Sequence, residues 1–260
     1  MRRLSSQRAI EAWERGQGAG PHELPLALLS VALPDEDRER LARLPVGQRD
    51  ALLMRLRETT FGRSIAGFAQ CPQCGAKLQF ATDLGSYDVQ GTLERRLPAE
   101  EVLAVDGWEV RFRLPDGRDL AAASRFPDEG TARRVLLQRC VLAARRGGEP
   151  AAAAELPEPV VVALGKRMEE LDPLAWLSLA IDCARCGHEW LVLFDVAALF
   201  WAEIAGSAER LLDEVQSLAM AYGWSESEIL AMSSARRRFY LQKAPPGGGP
   251  AGGGAVRRRG

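Results

Sequence analysis

The sequence predicts a mainly α-helical protein, with a bundle-like helical body and a small β element made from two distant halves. In most segments of the 260-residue chain, apolar side chains recur every three or four positions, as they do on one face of a helix. The β element is indicated by two similar motifs, CPQCGAKLQFATD from Cys71 and CARCGHEWLVLFD from Cys183. In each motif, apolar residues alternate along a strand-like stretch that follows a Cys-x-x-Cys-Gly turn.

Residues 1–65 are expected to form several helices. The stretch SSQRAIEAWERG predicts a short amphipathic helix with Ser5 or Ser6 as its N-cap. Glycine and proline in GQGAGPHELP break that helix. A longer helix is predicted over VGQRDALLMRLRETTFG, with Gly62 as the stop.

Residues 84–182 are expected to be an insert, mostly helical with one short β element. The β element is WEVRFRL, where apolar and charged residues alternate as in a half-buried strand. DEGTARRVLLQRCVLAARRGG predicts one helix, with arginines and glycine at its end. EPAAAAELPEP is expected to be a linker, and PVVVALGKRMEELDPLAWLSLAID two helices separated at Asp172 and Pro173.

Residues 196–243 are expected to form one long helix followed by short ones. The long helix is predicted by a single apolar stripe, formed by Phe200, Ile204, Ala208, Leu211, Val215, Leu218 and Tyr222. Ser225 and Glu228 fit a capping box for the next helix, and SARRRFYLQK predicts a last short one. Residues 244–260 are rich in glycine and proline, so we expect them to be disordered.

The two Cys-x-x-Cys pairs predict one structural zinc site per chain. Zinc is commonly held by four thiolates in a tetrahedron, and the glycine after each pair, Gly75 or Gly187, suits the tight turn that such a pair requires. We therefore expect residues 66–83 and 183–195 to be the two halves of a zinc ribbon. Its ligands would be Cys71, Cys74, Cys183 and Cys186.

Other interpretations of these motifs are less favoured. A redox site needs a single Cys-x-x-Cys at the start of a helix, whereas here each pair precedes a strand. His188 is a competing ligand, although a solvent-facing turn residue is the plainer interpretation. Asp83 and Asp195 end the two motifs and are expected to be N-caps of the elements that follow.

The composition argues against several classes of function. The formal net charge is −1, which does not indicate binding to nucleic acid or membranes. We expect neither a signal peptide nor a membrane-spanning segment, and hence a cytoplasmic protein. No common catalytic or phosphate-binding motif occurs, and His22 and His188 are the only histidines, so neither an enzyme nor a small-molecule substrate is predicted. The arginines at 236–238 and 257–259 are expected to lie on a solvated helix face and in a flexible tail.

Four stretches together carry a family resemblance: LPVGQRDALLMRLRETTFG, CPQCGAKLQF, VRFRLPDGRDLAAAS and YGWSESEILAMSSARRRFYL. They resemble the T4-type phage baseplate hub assembly chaperone family, especially members encoded with contractile phage-tail-like injection systems. The resemblance implies a non-enzymatic factor that helps assemble the baseplate or hub of a contractile tail. Baseplate, hub or spike proteins would be its partners.

A chaperone or adaptor needs an apolar surface that a partner can cover. The candidate surface is the C-terminal group Trp224, Ile229, Leu230, Met232, Phe239, Tyr240 and Leu241. The plainer interpretation is that these residues pack onto the long helix. Two other functions stay open at this point, a permanent minor component of the baseplate and a zinc-ribbon regulator that binds nucleic acid.

Overall fold

The computed structural model describes residues 3–244. Among these residues, one compact unit comprises Arg3 with Arg15–Trp201, and a second comprises Leu4–Glu14 with residues 202–244. The predicted disordered tail therefore lies, apart from Ala244, outside the described residues. No helix in the described part of the chain combines the length and apolarity needed to cross a membrane.

Helices and strands alternate through most of the chain. The helices are α1 (Ser6–Gly16), α2 (Leu24–Ala32), α3 (Arg38–Ala42), α4 (Val46–Phe61), α5 (Val89–Glu94), α6 (Gly117–Ala123), α7 (Glu129–Cys140), α8 (Glu158–Leu171), α9 (Val196–Tyr222), α10 (Glu226–Ala231) and α11 (Ser234–Lys243). The strands are β1 (Ser64–Gln70), β2 (Lys77–Asp83), β3 (Glu101–Val105), β4 (Trp108–Phe112), β5 (Val141–Arg146), β6 (Glu149–Ala151), β7 (Ser178–Asp182) and β8 (Glu189–Leu193).

The first unit contains an antiparallel sheet in the order β3-β4-β5-β6. Trp108, Val110 and Phe112 on β4 are buried, while the intervening Glu109 and Arg111 are exposed, so the predicted alternation is confirmed. The buried face of the sheet packs against Val160 and Leu164 of α8, among other residues of one apolar cluster. This packing is what holds the segment between the two cysteine motifs together.

The two cysteine motifs lie at the tips of two antiparallel hairpins in the same unit. β1 pairs with β2 from Ser64↔Asp83 to Gln70↔Lys77, and β7 pairs with β8 from Ser178↔Leu193 to Asp182↔Glu189. Each hairpin therefore presents its Cys-x-x-Cys turn at the end where its two strands meet.

The second unit is built on α9, whose first residues belong to the first unit. Of the predicted stripe on α9, five residues are buried and Val215 and Tyr222 are half-buried, which confirms the stripe. Within this unit, Ala9 and Ile10 of α1 form an apolar cluster with Ala208 and Leu211 of α9. The predicted capping box is present at the start of α10, since the Ser225 side chain accepts from the backbone N–H of Glu228.

The predicted mainly α fold class is wrong. Within residues 3–244, eight strands form three antiparallel sheets beside the helices. The insert at residues 84–182 contains a four-stranded sheet and the whole of β7, where one short β element was expected. The helical body was over-predicted because several strands are short and rich in alanine and arginine, which carry little β propensity.

Two particular segments account for the difference. VLAARR was read as the end of a helix, but the helix stops at Cys140 and these residues form β5, where Ala144 pairs with Val110 of β4. The two glycines after it, Gly147 and Gly148, have positive φ angles of 58° and 94° and form the turn into β6. The alanine-rich stretch EPAAAAELPEP was expected to be a linker, yet its first residues, Glu149–Ala151, form that strand.

The second segment is SLAID, which was expected to end a helix. The chain leaves α8 at Leu171, makes a short 3₁₀ turn over Pro173–Ala175 and enters β7. An apolar run this short does not distinguish strand from helix by its periodicity. Pairing with β8 decides the outcome, because β8 carries the second cysteine motif.

Candidate metal centre

The two cysteine turns share one backbone geometry. In the first, the N–H of Gly75 donates to the carbonyl of Cys71 at 2.9 Å, and the N–H of Cys71 donates to the carbonyl of Ala76 at 2.9 Å. In the second, Gly187 donates to Cys183 at 2.8 Å and Cys183 to the carbonyl of His188 at 2.9 Å. Gly75 and Gly187 have φ angles of 70° and 71°, in the left-handed region that glycine adopts without strain.

The structure brings the four predicted cysteines into one cluster. The Sγ atoms of Cys71 and Cys186 are 3.6 Å apart, as are those of Cys74 and Cys183. All four ligand atoms lie within 4.8 Å of one another. Each close pair therefore joins the first cysteine of one turn to the second cysteine of the other, across more than a hundred residues of chain.

These distances fit a tetrahedral metal ion. Four sulfurs at about 2.3 Å from a central zinc would be about 3.8 Å from one another. The sulfur atoms are close to that spacing, and they come from two turns that present their cysteines toward each other. Cys71 and Cys183 are buried, Cys74 is half-buried and Cys186 is exposed, so the cluster has one edge at the surface.

The electrostatics of the cluster also suit a cation. Burial alone would raise the pKa of Cys183, but backbone hydrogen bonds from Cys186 and Arg185 lower it to about 7. The pKa of Cys186 rises to about 12, against the lowering effect of the His188 backbone N–H, because of burial and the neighbouring thiols. The neighbouring thiols therefore oppose ionisation of Cys186, and a cation held between the sulfurs would favour its thiolate.

The other candidate groups near the motifs have local roles. Asp83 accepts from the backbone N–H of Gly85 at 2.6 Å, and Asp195 accepts from that of Ala198 at 2.9 Å, so both are helix caps as predicted. The imidazole of His188 stacks on Trp190, with ring centroids 5.8 Å apart. None of the three belongs to the cysteine cluster.

Both hairpins carry apolar side chains on their solvent-facing sides. Phe68 on β1 is 81% exposed, and Leu191 and Leu193 on β8 are 68% and 63% exposed. The opposite sides hold the half-buried Leu78, Phe80, Trp190 and Val192 that the sequence predicted as hairpin residues. Leu191 and Leu193 lie two residues apart on the same face of β8, so they are neighbours on the exposed side of that hairpin.

The residues of the C-terminal candidate surface mostly pack within the second unit. Ile229 is fully buried, and Leu230 contacts the cluster of α1 and α9 residues. Trp224 stacks on Tyr222 at 4.6 Å and meets Tyr240 edge-on at 4.8 Å. Met232 and Leu241 are half-buried, whereas Phe239 is 56% exposed. The solvent-facing part of this surface is therefore smaller than the sequence suggested.

One arginine of the cluster at 236–238 was placed wrongly by the sequence. Arg237 is 2% exposed, and its Nε donates to Glu214 at 2.7 Å while its Nη1 donates to the carbonyl of Met232 at 2.7 Å. Arg236 and Arg238 are exposed, as expected. The arginines at 257–259 lie outside the described residues.

Sequence reasoning missed a buried ion cluster around Asp119. Asp116 is the N-cap of α6, and Asp119 completes a capping box with it. Arg113 bonds both oxygens of Asp119, at 2.6 and 2.9 Å, and Arg139 bonds one at 2.7 Å. Burial raises the pKa of Asp119, but hydrogen bonds from Arg113, from the backbone of Asp116 and from Arg139 outweigh it and lower the pKa to about 2.

Comparison with known proteins gives one family. The model for the family described as T4 bacteriophage base plate protein matches residues 27–201, which include both cysteine turns and the whole insert. No curated protein and no solved structure matches the chain.

Proposed function

We propose, because the chain belongs to the T4 bacteriophage base plate protein family, that it is a non-enzymatic assembly chaperone or adaptor for the baseplate or hub of a contractile phage-tail-like particle. It would act in the cytoplasm by binding baseplate, hub or spike proteins. The family match over residues 27–201 carries this proposal. Apolar residues exposed on both cysteine hairpins support a function based on protein contacts.

A structural zinc ion is part of the proposal. Cys71, Cys74, Cys183 and Cys186 would hold one ion per chain, and their spacing supports this. When bound, zinc supplies a closed four-sulfur cross-link, with no open position for a water or a substrate. The residues themselves orient the two hairpins, since each turn fixes two sulfurs through its own backbone hydrogen bonds.

The C-terminal group is proposed to dock a hub or spike protein, with Phe239 as its most exposed member. Deleting residues 224–243 would also remove Ile229 and Leu230 from the core of the second unit, so a point change is sharper. Phe239→Ala should abolish copurification with baseplate proteins and leave the zinc content unchanged. Met220→Ala, at a residue of α9 that is 50% exposed, is the matched control. Copurification that survives Phe239→Ala would show that the docking surface lies elsewhere.

A permanent place in the baseplate is the second candidate function, and the family's description as a base plate protein favours it. Mass spectrometry of purified, finished particles separates the two. A chaperone is absent from the particle, whereas a component is present in a fixed ratio to the other baseplate proteins. Finding the protein in every particle would refute the chaperone proposal.

A further inference from the structure

A cavity of about 890 Å³ opens in the first unit, away from the cysteine cluster. It is lined by Arg15 at the end of α1, by residues of α2, α3, α4, α6 and α7, and by the loop that precedes α2. Apolar side chains line part of it, among them Leu26 and Leu29 of α2 and Leu41 of α3. Its volume lies in the range of about 300–1,000 Å³ that is typical of ligand-binding pockets.

The charged lining of this cavity is almost entirely basic. Of the described residues, Glu23 is the one carboxylate in the lining, and six arginines line the cavity: Arg15, Arg38, Arg49, Arg118, Arg125 and Arg139. Carboxylates already bind three of these arginines. Arg49 pairs with Asp50 at 2.7 Å, Arg118 with Asp116 at 3.0 Å and with Glu39 at 2.6 Å, and Arg139 with Asp119 at 2.7 Å.

Two of the remaining arginines are available to a ligand. Arg38, at the start of α3, and Arg125, just after α6, are exposed. Neither has a carboxylate partner within residues 3–244. The ion pairs of the other three arginines hold their guanidinium groups in place, whereas Arg38 and Arg125 add uncompensated positive charge at the surface of the cavity.

Arg49 adds an unfilled donor. Its side chain is 12% exposed, and its Nη1 is buried without a hydrogen-bond partner. A buried polar group without a partner is uncommon in folded proteins and indicates a missing acceptor. An oxygen from an anionic ligand, with a small shift of the side chain, would supply one.

We infer that this cavity binds a short acidic segment of a partner protein, whose Asp or Glu carboxylates accept hydrogen bonds from Arg38, Arg49 and Arg125. Arginine presents parallel N–H donors that match a carboxylate in two-bond geometry. The apolar side chains of α2 and α3 would cover the aliphatic residues between the acidic ones. The choice of a protein ligand rests on the proposed function, whereas the anionic character rests on the cavity alone.

Other occupants fit this cavity less well. Among residues 3–244, no Phe, Tyr or Trp lines it to stack on a nucleotide base, and its only aromatic ring is the imidazole of His22. The chain's own sequence beyond Ala244 contains three arginines and no acidic residue, so it has the same sign of charge as the cavity. Charge complementarity therefore favours an acidic segment from another chain.

The test uses the full-length protein and a short synthetic peptide of alternating Glu and Leu that carries a fluorescent label. We expect saturable binding in a fluorescence anisotropy titration, which weakens as salt is added. A peptide of alternating Gln and Leu should bind roughly tenfold more weakly or not at all, because hydrogen bonds to charged groups are the stronger ones. The double variant Arg38→Glu/Arg125→Glu should bind the Glu peptide roughly tenfold more weakly than the wild type does. Arg8→Glu/Arg96→Glu, at two exposed arginines that do not line the cavity, is the matched control.

Besides the absence of peptide binding, three results would overturn the inference. One is equal binding of the Glu and Gln peptides, and another is unchanged binding by the Arg38→Glu/Arg125→Glu variant. The third is displacement of the peptide by inorganic pyrophosphate at a lower concentration than by unlabelled peptide, which would assign the cavity to a phosphate ligand. Copurification with baseplate proteins is measured separately, so that absence of peptide binding with copurification intact refutes this inference alone.

Discussion

Replacing Cys71 with Ser is expected to abolish binding of the proposed zinc ion and to destabilise the first unit. The serine hydroxyl is a poor zinc ligand, and the three remaining sulfurs would leave the tetrahedron incomplete. Cys71 is 1% exposed and its Sγ lies 3.6 Å from that of Cys186, so the substitution acts at the centre of the cluster.

The size of the effect follows from the span of chain that the cluster closes. Cys74 and Cys183 are separated by 109 residues. A covalent cross-link that closes a loop of about 100 residues removes roughly 4.7 kcal/mol of unfolded-state entropy. A metal cross-link at the same two points restricts the unfolded chain in a similar way. For a protein of this size, the loss corresponds to a melting temperature lower by roughly 10–20 °C.

Two measurements check this prediction. Elemental analysis of protein purified without chelators should find one zinc per chain in the wild type and none in Cys71→Ser. Thermal unfolding followed by circular dichroism should show the lower melting temperature, and a chelator should reproduce it in the wild type only. Cys140→Ser is the control, because Cys140 is a buried thiol outside the cluster. Wild-type protein purified without metal would refute the reasoning. So would a Cys71→Ser variant with the same melting temperature as the wild type.

Three further predictions concern single residues. Asp119→Ala should lower the free energy of unfolding by about 3 kcal/mol, as measured by urea unfolding. This is the lower end of the range for a broken buried ion pair, because Arg113 and Arg139 are partly exposed. Because the pKa of Asp119 falls from 3.8 to about 2 on folding, its contribution should be complete above about pH 4 and be lost as the pH falls toward 2. A pH series of urea unfolding should show this loss in the wild type and not in Asp119→Ala. Gly187→Ala should lower the free energy of unfolding by about 1–2 kcal/mol, since alanine is strained at a φ of 71° even though nothing lies within 4 Å of the added carbon. Zinc affinity, measured by competition with a chelator, should also fall. Ser225→Ala should lower the free energy of unfolding by about 1 kcal/mol through loss of the N-cap of α10. An unchanged midpoint of urea unfolding would contradict this prediction.

The cysteine hairpins were predictable because their signal is local. Two sulfurs, a glycine and an alternating strand stand together in each motif, and the similarity of the motifs suggests that they form one site. The stripe on α9 and the box at Ser225 and Glu228 were predictable for the same reason. Each pattern lies within a single element, where side-chain spacing fixes which residues share a face.

The four-stranded sheet was not predictable in this way. VLAARR has the composition of a helix end, and only its pairing with β4 makes it a strand. Such pairing depends on residues roughly thirty positions away, and a tertiary environment of this kind regularly overrides weak local preference. The arginine-lined cavity is a similar case, because its arginines are scattered from Arg15 to Arg139 and form no cluster in the sequence.

The separation of the two cysteine turns also sets an order of events during protein synthesis. Cys71 and Cys74 leave the ribosome first, and 109 residues separate Cys74 from Cys183. At about 5–20 residues per second, the nascent chain carries only half of the thiols for roughly 5–20 s. The four-sulfur centre can therefore be completed only after translation has passed Cys186, and until then the first pair is open to oxidants and to competing metals.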